Sequence, residues 1–199
     1  MPHDGQVSGR RSPAARLQRA GMSLLVGSLL MHAVVRADAV SEAPTARVRA
    51  ELWGGTTFDG RGHWLHDPLV VHAVELEWML FGHVSIGLRG LPLLAYFDST
   101  PIVGAGLGVT NRVYWLRAGS GLYLGPQIAI VAHYDRFESN SSHVNLLSSL
   151  DVGYQFRDSV FRIGAKLEHM SNANLAKQNR GWNGISVLFG MTLWRAADR

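Results

Sequence analysis

The sequence predicts an all-β protein, an eight-stranded antiparallel transmembrane β-barrel, and three observations carry that prediction. Beyond residue 40, apolar residues alternate with polar or small ones at the strand period, in segments of about ten residues, and no window sustains a helical period. Charged residues make up 17% of the chain, against about 25% in ordinary soluble domains, so much of the surface is apolar. The first residues read as an export leader, which directs the chain out of the cytoplasm.

The leader comes first. Residues 1–37 hold Arg10, Arg11, Arg16, Arg19 and Arg36 against a single acid, Asp4, followed by an apolar run from Met22 to Val35 and small residues suited to cleavage after Ala37 or Ala39. Fourteen residues are too few for a membrane-spanning helix, which needs about 20. Arg10-Arg11 is separated from the apolar run by Pro13 and further arginines, so ordinary secretion is expected over twin-arginine export. The expected division is a signal peptide over 1–37 and a barrel over 38–199.

The leader also accounts for the whole net charge of +4. The remaining 162 residues hold 14 basic and 14 acidic side chains with no basic run. Such a body offers nothing to a phosphate backbone, and nucleic acid is not an expected partner. The chain has no cysteine, hence no disulfide framework.

Strands are expected near 46–56, 69–80, 82–93, 102–117, 121–135, 142–157, 159–171 and 183–194. The last two alternate most cleanly. Phe161, Ile163, Ala165 and Leu167 share one face against Arg162, Gly164, Lys166 and Glu168; Ile185, Val187, Phe189, Met191 and Leu193 oppose Gly184, Ser186, Gly190 and Thr192. Eight such strands form either a soluble barrel with its apolar face inward or a membrane barrel with that face outward. The polar face carries Glu75, Glu77, Arg89, Asp151, Arg162, Lys166 and Glu168 beside many glycines, which suits the packed polar interior of a small membrane barrel rather than a pore. Trp53, Trp64, Trp78, Trp115, Trp182 and Trp194 fall mostly near segment ends, where aromatic girdles sit. With the leader, these features select the membrane barrel. Trp194 is followed by Arg-Ala-Ala-Asp-Arg, whereas many outer-membrane chains end on an aromatic residue.

Two further patterns are read as structural. His63 and His66 have metal-like spacing but stand beside Asp67-Pro68 in an expected solvated loop. Gly104-Ala-Gly106-Leu-Gly108 has no helix after it, so it is no phosphate loop, and small residues packing one barrel wall explain it. No metal or other cofactor is expected.

The chemistry lies at the seventh and eighth strands. Continuing the parity of Leu167 puts His169 and Ser171 on the outward face, two residues apart. Asn183 shares parity with Ile185 and faces outward too. Polar groups on a lipid-facing wall are costly unless they have a task or lie at the interface. A histidine beside a serine can take its proton as general base in acyl transfer. If the N-terminus is delivered from the periplasm, odd strands run outward, and the three groups sit level with the outer leaflet. In a Gram-negative cell that leaflet is lipopolysaccharide, with acyl esters at about that height.

The stretch His169-Met-Ser-Asn-Ala-Asn-Leu-Ala-Lys-Gln-Asn-Arg-Gly181 resembles the signature of outer-membrane lipid A 3-O-deacylases of the PagL type, in which a His-x-Ser-Asn-Ala run is followed by Asn and Gly at the spacings of Asn179 and Gly181. The resemblance implies a serine esterase that uses no metal and acts on lipid A, with Ser171 as nucleophile and His169 as base. It also implies that Asn179, with backbone N–H groups near Asn172 to Asn174, stabilises the oxyanion, and that Asn172 orders the loop. The family commonly has Gly where this chain has Asn174. Its third triad member, commonly Glu, aligns with Asn183, which can hold the imidazole but cannot stabilise imidazolium by charge. The alternative is therefore a catalytically weak or inactive outer-membrane barrel with a structural or adhesion role. An acyltransferase would need an interior acyl well, which the charged interior disfavours.

Overall fold

The structure, a computed structural model, describes residues 46–58, 63–81, 83–97, 101–115, 119–137, 140–157, 159–179 and 181–196. The leader expected over 1–37 lies outside the described residues. Eight strands run in chain order: β1 (Ala46–Phe58), β2 (Trp64–Phe81), β3 (Val84–Phe97), β4 (Pro101–Tyr114), β5 (Gly121–His133), β6 (Val144–Gln155), β7 (Phe161–Ser171) and β8 (Trp182–Arg195). Each pairs antiparallel with the next, and β8 pairs back on β1 to close the barrel. Closure leaves no edge of unpaired N–H and C=O groups, the condition for a sheet in lipid.

Alternation decides which way each side chain points. Leu107, Ile130, Leu167, Val187 and Phe189 are exposed on the outer wall, while Arg49, Glu75, Arg89, Arg112 and Lys166 are fully buried in the lumen. This is the inside-out arrangement of a membrane-spanning barrel. The lumen is filled by paired charges: Arg49 Nε to Glu77 at 2.7 Å, Arg89 Nη2 to Glu51 at 2.6 Å and Lys166 Nζ to Asp151 at 3.2 Å. Arg49, Glu51 and Arg112 join the interior group expected from sequence, contributed by the inward faces of β1 and β4.

Three sequence expectations change. β2 begins at Trp64, so His66 and Asp67-Pro68 belong to a strand and not to a loop. His66 has φ of 59°, and the β1–β2 register shifts between Thr56 and Phe58, so a bulge lets proline enter the ladder there. Trp53 is not in a girdle: it is 1% exposed in the lumen, where its Nε1–H donates to Glu168 Oε1 at 2.8 Å. Trp182 is also buried, stacked on Tyr96 with ring centroids 5.7 Å apart. Trp115 and Trp194 remain exposed, at the ends of β4 and β8 that share one rim of the barrel. The glycine run of β4 packs as expected: a Cβ on Gly108 would lie 2.5 Å from the Cβ of Ala129 on β5.

Candidate active site

The end of β7 and the start of β8 meet at the opposite rim from Trp115 and Trp194. His169 lies directly across the ladder from Asn183, and Met170 from Trp182. Because Met170 and Trp182 point inward and are buried, pleating turns His169, Ser171 and Asn183 outward. His169 is exposed, and Ser171 and Asn183 are half-buried.

His169 Nδ1 and Asn183 Oδ1 are 3.0 Å apart. An amide oxygen only accepts, so Nδ1 carries the ring hydrogen and donates it, and Nε2 keeps its lone pair. That is the tautomer a general base requires. Among the described residues no hydrogen bond joins Ser171 Oγ to His169, so the structure brings the histidine and the asparagine together and leaves the serine beside them. Gly181 shows how closely the serine approaches. A Cβ on that glycine would lie 2.5 Å from the Met170 carbonyl oxygen, 3.1 Å from Ser171 Cβ and 3.2 Å from His169 Cε1. Imidazole edge and serine methylene therefore flank one position that admits only hydrogen.

The turn after Ser171 is built around Asn172, whose side chain is wholly buried. Its Oδ1 accepts from Asn174 N–H at 3.0 Å, while its Nδ2 donates to the Gln178 carbonyl at 2.7 Å and to Asn140 Oδ1 at 3.1 Å. The Leu175 N–H closes the turn on the Asn172 carbonyl at 2.9 Å. Ala173 and Asn174 adopt φ of 53° and 65°, the left-handed region that glycine favours and asparagine tolerates. Asn174 thus does at this position what a glycine does, and its Oδ1 also receives Asn179 Nδ2 at 3.0 Å.

The backbone donors divide unevenly. Asn172 N–H is taken by Asn179 Oδ1 at 2.8 Å and Asn174 N–H by Asn172 Oδ1. Neither is free to receive an oxyanion in this arrangement. Ala173 N–H and the second hydrogen of Asn179 Nδ2 are uncommitted among the described residues. Asn172 and Asn174 thus bond within the turn and to the strand connection beneath it.

Sequence reading missed the platform beneath this turn. Asn140 forms a bridge with Asn179, and Ser141 N–H donates to the Gln178 carbonyl at 3.2 Å, so the β5–β6 connection is laid against the β7–β8 turn. The only sequence signal was the polar run Asn140-Ser-Ser-His143, which alone has no distinguishing spacing.

Beside the site the outer wall is concave. A groove of about 390 Å³ is lined by Leu88, Leu107, Val109, Ile128, Ile130 and Leu146. Leu146 stands opposite Ser171 across the β6–β7 ladder, Ile130 opposite Leu146, and Leu107 opposite Ile130. One cross-strand row thus leads from the serine directly into the groove.

The fold is similar to that in the crystal structure of Neisserial surface protein A, at 12% sequence identity and a TM-score of 0.49, covering 76% of this chain and 100% of that one. No protein of curated function matches in sequence. A family model described as lipid A 3-O-deacylase (PagL) matches residues 60–192, which include the groove, His169, Ser171, Gly181 and Asn183. The chain belongs to the PagL lipid A 3-O-deacylase family.

Proposed function

We propose that the chain is an outer-membrane serine esterase that hydrolyses an acyl ester of lipid A, with Ser171 as nucleophile, His169 as general base and Asn183 as the group that orients the base. The observation that carries this reading is the 3.0 Å bond from His169 Nδ1–H to Asn183 Oδ1, which leaves the Nε2 lone pair to act as base. Rotation of the serine hydroxyl toward Nε2 completes the pair, a tightening common once substrate is bound.

Ser171 Oγ attacks the ester carbonyl as its proton passes to His169 Nε2. The tetrahedral oxyanion is received by Ala173 N–H and Asn179 Nδ2. The bond between the acyl carbon and the sugar oxygen then breaks, the departing oxygen takes the proton from His169, and the acyl chain remains on Ser171. Water, deprotonated by His169, releases it as a fatty acid and restores the serine.

The outward site and the adjoining apolar groove support a substrate that approaches laterally within the outer leaflet. The ester is then at the rim, with its acyl chain on the wall of β6, β5 and β4. Lipid A from cells expressing wild type or Ser171→Ala tests the reading by mass spectrometry. Wild type is expected to remove one acyl chain and Ser171→Ala to leave lipid A intact; removal by both overturns the assignment. The alternative, an inactive barrel, is favoured by the neutral Asn183 and predicts intact lipid A in both.

A further inference from the structure

The turn that follows Ser171 is held from below by a chain of side-chain amides that all point the same way. Asn172, Asn140 and Asn145 are 0%, 4% and 1% exposed, so each amide needs partners for both of its ends. His133, the last residue of β5, has its Nδ1 against the carbonyl oxygen of Asp135. That nitrogen therefore bears the hydrogen, and Nε2 accepts. The donor to Nε2 is Asn145 Nδ2. Asn145 Oδ1 in turn accepts from Asn140 Nδ2 at 2.9 Å, and Asn140 Oδ1 accepts from Asn172 Nδ2 at 3.1 Å. Asn172 Oδ1, at the far end, accepts Asn174 N–H.

An amide reversed at any point would set nitrogen against nitrogen and oxygen against oxygen. His133, which presents a lone pair at one end, therefore fixes the direction of the whole chain. Asn140 is the joint between the two outer connections. Its Oδ1 also accepts Ser142 N–H at 3.1 Å, and its own N–H donates to the Phe137 carbonyl at 3.0 Å. Phe137 is buried, edge-on to Tyr96 at 5.2 Å and to His133 at 4.6 Å, which anchors the connection in the barrel mouth.

We infer that Asn140 is a positioning residue for the esterase reaction: by accepting from the buried Asn172 amide, in a direction set through Asn145 and His133, it holds the turn that carries the oxyanion donors. The inference rests on the esterase reading above. Asn140 lies under the turn and not in the acyl groove, so its loss acts on turnover and leaves binding of the acyl chain unchanged.

The test compares kcat and KM for acyl release from purified lipid A by the full chain refolded in detergent, with the folded fraction read from heat-modifiable gel mobility. Asn140→Leu, similar in size but without an acceptor, is expected to lower kcat by about 10²-fold, the effect of losing an oxyanion donor, with KM within about twofold. Asn140→Asp keeps the acceptor for Asn172 and Ser142; Asn145 turns its amide to donate to the new carboxylate, and His133 takes up a proton on Nε2 to donate to the turned Asn145 Oδ1, so kcat is expected to recover to within about fivefold of wild type. An unchanged kcat in Asn140→Leu, or a rise in KM alone, overturns the inference. So does a failure of Asn140→Asp to recover turnover, which marks a merely structural residue. If Asn140→Leu does not fold, Asn145→Leu removes the direction-setting step one residue away and is expected to lower kcat about fivefold; no change there overturns the inference as well. A wild-type chain that releases no acyl group overturns the esterase reading and this inference with it, whereas an active wild type with an indifferent Asn140 overturns this inference alone.

Discussion

In the proposed reaction His169 is the base and Asn183 its orienting partner, with no negative charge between them. The amide oxygen fixes the ring hydrogen on Nδ1, which supplies the correct tautomer, but as the imidazole takes up the serine proton no carboxylate is there to offset the new charge. Among the described residues no carboxylate bonds to His169; Glu168, its neighbour in sequence, points into the lumen and is held there by Trp53 and Ser186. An acid at position 183 is therefore predicted to speed the reaction. Asn183→Asp keeps the reach of the present side chain and Asn183→Glu lengthens it by one methylene. Asn183→Asp is expected to raise kcat at least about tenfold, a fraction of the roughly 10⁴ that separates acid from amide in serine proteases. A steady-state comparison at one lipid A concentration series decides it, and a slower Asn183→Asp counts against the assigned role. Placing Asn183 on the same outward face as His169 needed only strand parity, whereas the register that sets the two directly opposite was not legible. The commitment of the Asn172 and Asn174 amides was not legible, because it depends on two successive left-handed residues that no alternation predicts.

At the scale of elements, the ladder from β7 through β6 and β5 to β4 joins the chemistry to an apolar wall. Ser171, Leu146, Ile130 and Leu107 stand in one cross-strand row, spanning three strand spacings of about 4.8 Å each. An acyl chain lying along this row keeps its ester at the serine. Ile130→Trp fills the groove without adding charge to the lipid face. It is predicted to lower kcat/KM about tenfold for long acyl chains, mainly through KM, and to affect short soluble esters little; equal losses for both substrates argue against an acyl site. Alternation made these strands legible, but nearness to a strand end misplaced two side chains. Trp53 and Trp182 were assigned by proximity to strand ends, yet parity turns both inward, where an indole can cap a charge or stack on a tyrosine. The extra turn of strand in β2 was hidden because Asp67-Pro68 reads as a breaker, and only a bulge admits it.

At the scale of the whole molecule, an apolar exterior is balanced by an interior of paired charges, and the two together make a closed wall that carries its site outside. Arg112 is central to that interior. Its guanidinium meets Glu75, with Nη2 3.0 Å from Oε2, and Glu77 at 3.3 Å and Glu51 at 3.5 Å. Removing it leaves several buried carboxylates facing one another in the lumen, and breaking such a buried pair costs about 3–5 kcal/mol. Arg112→Met is therefore predicted to lower the temperature at which the folded, fast-migrating form is lost on gels, while the activity of the remaining folded fraction stays near wild type. An unshifted transition contradicts this. Covalent trapping tests whether the outward-facing Ser171 is the nucleophile. The chain is incubated in outer-membrane lipid with a serine-reactive phosphonate analogue of an acyl ester, and the adduct is located by peptide mass spectrometry. A single adduct on Ser171 that disappears in His169→Ala is expected; an unlabelled Ser171, or labelling that persists without His169, rules out Ser171 as the nucleophile.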